Sequence, residues 1–147
     1  MFMDYFLFVA TVSLVFQLAV LALILVGFEL KRKTKFRLHG FTMLSALAVH
    51  LVIIFVVMVP SFVLGVIPLI LENPVSEIGL LIPVHVAAGL VTAALGVWIM
   101  FGWRLRKSTE FCAPRRRFMR VTFIAWLVSL SFGVLVYLIF NWTFLFG

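Results

Sequence analysis

Four long apolar stretches leave this chain few folds to choose from. The first runs from about Tyr5 to Phe28 and contains one strongly polar residue, Gln17. Others run from about Leu38 to Val59, Ile78 to Trp103 and Phe118 to Trp142. A helix needs about 20 apolar residues to cross a bilayer core, and each stretch meets that length. In lipid a backbone must satisfy its own hydrogen bonds, so the spanning element is a helix or a closed barrel. The stretches are continuously apolar and lack the alternation of barrel strands. The fold class is therefore all-α: a polytopic membrane protein, read as a four-transmembrane-helix up-down-up-down bundle. The spans (5–28, 38–59, 78–103 and 118–142) account for one domain over residues 1–147.

The segment after the second span has its own pattern. Pro60 disfavours helix at the residue before it, so the span is expected to end or kink there. "SFVLGVIPLIL" is apolar but too short, with Pro68 inside it, for another crossing. It is read as a short outer interfacial segment or as a kinked extension of the second span, with "ENPVSE" as an outer turn.

The net charge of +7 could point to nucleic acid, but its distribution excludes that class. All 12 Lys and Arg fall in two stretches, residues 31–37 and 104–120. Asp4, Glu72 and Glu77 lie on the other side, which has no basic residue. That segregation is the positive-inside signature. The basic loops are expected in the cytoplasm and both termini outside, in the cell (plasma) membrane. The single cysteine, Cys112, lies in the second basic loop and has no intrachain partner. No basic region precedes the first apolar stretch, so that stretch is expected to be retained rather than cleaved as a signal peptide.

Polar residues inside spans are costly in lipid and mark functional candidates. "HGFTMLSALAVH" carries two of the 3 histidines. His39 and His50 are eleven residues apart (50 − 39), which returns to within ~20° of one helix face after a rise of ~16 Å. His39 is then at the inner surface and His50 near the midplane, with Met43 and Ala46 between them. His85 lies in the third span at a depth close to that of His50. Imidazole is a good axial ligand for haem iron. The third span also offers a small face, Ala88, Gly89, Thr92, Ala93 and Gly96, against which a flat ring or another helix fits. His50 and His85 are thus the candidate ligands of one haem b, with Gly89, Thr92 and Gly96 lining its site. The competing reading gives each imidazole a hydrogen bond to a neighbouring helix, for example His50 to Gln17, which shares a face with Ser13. His39, too far away to share the iron, is read as a snorkelling interfacial residue. Met43, His39 and Gln17 are secondary candidates. Trp103 and Trp142 suit interfacial belts. No phosphate loop, metalloprotease motif or nucleophile elbow is present, so an electron carrier or assembly factor is expected rather than a catalyst.

"RRRFMRVTFIAWLVSLSFGVLVYLI" resembles the last helix of a small bacterial and archaeal membrane family. That family is catalogued as domain of unknown function 420. The matching residues are Arg120, Thr122, Phe123, Trp126, Leu127, Gly133, Tyr137 and Leu138. "LHGFTMLSA", through His39 and Met43, and "LIPVHVAAG", through His85, resemble two further segments, so the likeness covers roughly residues 35–140. Arg115 and Gly40 stand where the family often has His and Arg, and His50 has no assigned counterpart. The resemblance implies a link to maturation of haem-copper terminal oxidases, hence a respiratory membrane complex as partner. The His-Gly-x-x-Met start is also similar to di-haem b-type cytochromes. Those need four histidines for two haems, so at most one bis-histidine haem fits here. The functional expectation is a haem-binding membrane protein in respiratory electron transfer or oxidase assembly, with quinone as a further candidate partner. The alternative is a cofactor-free structural or assembly subunit.

Overall fold

The structure is a computed structural model that describes residues 2–72, 77–103 and 116–146. The described residues form helix and one tight turn, with no strand. We label the helices α1 (Phe2–Arg32), α2 (Phe36–Glu72), α3 (Glu77–Trp103) and α4 (Arg116–Phe146). All four are long and apolar enough to cross a membrane, which marks a multi-pass membrane protein. The outer turn at 73–76 lies outside the described residues, as do residues 104–115 with Cys112 and the first part of the second basic stretch.

The α1–α2 connection is short because α1 ends in a Schellman-type cap. Lys35 N–H donates to Leu30 O (2.9 Å) and Thr34 N–H to Lys31 O (3.1 Å). Thr34 adopts φ 59°, the left-handed conformation that this cap requires and that glycine normally supplies. With the carbonyls of the last turn satisfied, α2 restarts at Phe36.

Pro60 does not end the second span. α2 continues through it as one helical rod of 37 residues, roughly 55 Å long at 1.5 Å per residue. The prolines are absorbed by two stretches of π-helix, Ile54–Met58 and Phe62–Val66. Each stretch closes two residues before a proline, Met58 before Pro60 and Val66 before Pro68. A proline ring collides with the carbonyl one turn back and supplies no N–H to it. Widening that turn relieves the collision without breaking the rod. Residues 61–72 are therefore an extension of α2.

Neighbouring helices meet through small residues. Gly40 of α2 lies under the Trp103 indole of α3, with Phe41 edge-on to the same ring at 6.0 Å. Trp103 is thus buried in a seam rather than standing open in a belt, whereas Trp142 is exposed. Gly96 of α3 receives Leu47 of α2, and Gly27 of α1 receives Met43 of α2. Contact numbers run in opposite senses in every pair: 27 with 43 and 17 with 50, 40 with 103 and 47 with 96, 89 with 129 and 98 with 118, 11 with 137 and 28 with 123. The central packing unit is Val20, Ala46 and Trp126, from α1, α2 and α4. Large apolar residues such as Phe55, Leu64, Leu80 and Phe101 face outward, as expected where the surrounding medium is lipid.

Candidate functional site

Between the helices lies a cavity of about 400 Å³, within the size range of small-molecule sites. All four helices line it, and among the described residues its lining contains no Asp, Glu, Lys or Arg. His50 from α2 and His85 from α3 both reach it, with Gln17, Trp126, Ser129 and Tyr137. The wall on the α2 side is largely the proline-rich π-helical stretch, from Ile54 to Val66.

Each cavity histidine is held through Nδ1. His85 Nδ1 is 2.7 Å from the main-chain oxygen of Ser129. A carbonyl only accepts, so Nδ1 carries the proton and Nε2 the lone pair. Ser129 returns a bond from its hydroxyl to His85 O at 3.1 Å, which locks the two helices together at this level. Ser129 O is able to take this extra bond because a carbonyl has two lone pairs, one of which serves its own helix. Gly133, one turn further along α4, leaves room for the ring: a Cβ there would stand 2.9 Å from His85 Cε1.

His50 is only 5% exposed. Its Nδ1 faces the side-chain amide of Gln17, with Nε2 of the glutamine at 3.1 Å and Oε1 at 3.2 Å. Its own Nε2 is buried and has no hydrogen-bond partner among the described residues. A buried polar atom left unmatched is destabilising by about 1–3 kcal/mol. Such exceptions in a native fold are explained by strain, by a bound water or ion, or by a ligating role. Both imidazoles are tied through Nδ1, the arrangement by which a histidine that ligates haem iron through Nε2 is normally oriented.

The remaining candidates divide. Gly89 lines the cavity, although a Cβ on it would meet Ser129 Oγ at 3.3 Å. Thr92 and Gly96 do not line it. The Thr92 hydroxyl turns back to Ala88 O at 2.8 Å, and Leu47 fills the notch at Gly96, 2.9 Å from where a Cβ would stand. This end of the small face serves helix packing, so the ring space expected there is taken by a side chain. His39, read as a snorkelling residue, has its Nδ1 2.7 Å from Gly27 O of α1, a bond that ties α1 to α2 near their connection. Met43 packs over the same Gly27, and neither residue lines the cavity.

Sequence reasoning passed over Ser129, Gly133, Tyr137 and Trp126 as site residues. The first three share a face of α4 at spacing four, which was the available signal. Tyr137 connects the cavity to α1. Its Oη lies 3.3 Å from Thr11 Oγ1, which also bonds Leu7 O at 2.7 Å. No family model, no curated protein and no solved structure matches this chain.

Proposed function

We propose that this protein is a four-helix, up-down-up-down protein of the plasma membrane that holds one b-type haem between His50 and His85. Both termini are outside and the basic loops are cytoplasmic, because the segregation of Lys and Arg follows the positive-inside rule. The outer end of α2, which exceeds the ~30 Å core, covers the outer mouth of the cavity near the membrane surface. The observation that supports the haem reading is the buried, unmatched Nε2 of His50, a residue that lines the same cavity as His85. A bound haem supplies one-electron redox chemistry. The chain would contribute the two imidazoles and a largely apolar lining around them. The role that follows is respiratory electron transfer or haem handling for terminal-oxidase assembly. Its partners are a respiratory membrane complex and, as a lipid-soluble redox partner, quinone.

A second reading has its own support. Nδ1 of both histidines is already bonded to another helix, and Leu47 occupies the notch at Gly96. These features suit a cofactor-free structural or assembly subunit whose polar groups pin the bundle together. A visible spectrum of the detergent-purified protein, oxidised and dithionite-reduced, separates the two. A reduced low-spin b-type spectrum at near one haem per chain supports the first. A colourless protein that also fails to take up added haemin supports the second.

A further inference from the structure

The Gln17–His50 pair is a choice between two tautomers. If the glutamine NH2 donates to Nδ1, the histidine proton sits on Nε2, buried with no acceptor. If Gln17 Oε1 accepts from Nδ1–H, Nε2 keeps its lone pair. The first arrangement would suit a ligand that accepts a hydrogen bond, the second an electron-pair acceptor such as a metal ion. His85 allows only one state, because Ser129 O requires the proton on Nδ1. In a neutral His85 ring the lone pair is therefore on Nε2.

We infer that Gln17 is a positioning residue for His50: its Oε1 accepts from Nδ1–H and so leaves the lone pair on Nε2, where it can ligate. The inference rests on the haem reading above and adds to it the residue that makes His50 a ligand. Gln17 suits the task. It is 6% exposed, stands on a different helix from the histidine and is the one strongly polar residue of its span. In an apolar interior no water competes for its amide. Its side chain also sets how much negative charge the imidazole feels. A neutral amide gives an ordinary imidazole ligand, whereas a carboxylate in its place would draw the Nδ1 proton and make the ring a stronger electron donor.

The test uses the full chain in detergent or nanodiscs, titrated with haemin, and two variants. Gln17→Leu keeps the approximate volume and removes the acceptor. Outer partners of this kind are worth about 10–100-fold in metal affinity, so haemin should bind about 10–100-fold more weakly. Gln17→Glu keeps an acceptor, and should retain near wild-type affinity with a lower midpoint potential and a shifted low-spin EPR signal. Equal affinity and potential in Gln17→Leu would overturn the inference. So would Gln17→Glu losing haem as severely as Gln17→Leu, because then the glutamine only packs. If Gln17→Leu fails to fold, the potential of Gln17→Glu decides alone, and an unchanged value counts against the inference. A wild-type chain that binds no haemin removes the haem reading itself and this inference with it. A wild-type chain that binds haemin, with variants indistinguishable from it, removes only the role of Gln17.

Discussion

Gly133 of α4 lies directly against the imidazole of His85 of α3. A side chain as small as a methyl group there would stand 2.9 Å from Cε1 and 3.2 Å from Nδ1. The histidine therefore occupies the space that a glycine leaves, and its bond to Ser129 O one turn away depends on that space. Gly133→Ala should cost about 1–3 kcal/mol by overpacking and displace the ring. The readout is a lower melting temperature in detergent together with weaker haemin binding. A variant with unchanged values for both would show that the ring has room to move.

The three histidines should separate cleanly. His50→Ala and His85→Ala should each abolish the low-spin haem signal, since bis-imidazole ligation needs both. His39→Ala should keep it. That variant instead loses the bond to Gly27 O and about 0.5–1.5 kcal/mol of stability. Absorption spectra and thermal unfolding of the same three preparations check both halves. Full haem retention in His50→Ala or His85→Ala would remove the ligand assignment.

Gly40 and Gly89 offer a graded pair of substitutions. At Gly40 an added methyl group runs into the Trp103 indole, a buried and rigid neighbour. At Gly89 it meets only Ser129 Oγ at 3.3 Å. Gly40→Ala should therefore destabilise the protein clearly more than Gly89→Ala. Equal melting temperatures would mean that the α2–α3 seam yields at little cost.

Thr34 holds a left-handed conformation that disfavours side chains with a branched Cβ. Thr34→Gly should stabilise the protein, by up to about 1 kcal/mol once the greater unfolded-state freedom of glycine is subtracted. The comparison needs only unfolding curves of the two proteins. A loss of stability would show that the threonine side chain contributes more to the turn than its conformation costs.

Membrane orientation can be read through the single cysteine. With the basic loops cytoplasmic, Cys112 should react with an impermeant maleimide only after the cells are opened. Labelling in intact cells would reverse the proposed topology.

The sequence alone carried the fold class. A bilayer demands both length and a backbone that satisfies itself, and four continuous apolar stretches satisfy that demand without reference to any neighbour. The charge pattern needed no structure either, because it is a property of loops rather than of contacts. The candidate site was legible in part. His50 and His85 stood out because an imidazole in lipid is costly wherever it lies.

Tertiary structure decided which groups meet. Gly89 and Gly96 are equivalent in one dimension, both small and both on one helix face. Only packing gives one to the cavity and the other to Leu47. His39 and His50 share a helix face, yet one meets a carbonyl of α1 and the other a glutamine of α1, and among the described residues only His50 has a buried ring nitrogen without a partner. Pro60 is expected from sequence to end or kink the span, but the widened π turns before Pro60 and Pro68 keep α2 helical throughout and make it a wall of the cavity. The physical reason is common to all three. Local sequence sets the period and polarity of a helix, whereas a polar atom's partner and a glycine's occupant come from whichever other helix lies opposite, at a register fixed only when the bundle closes.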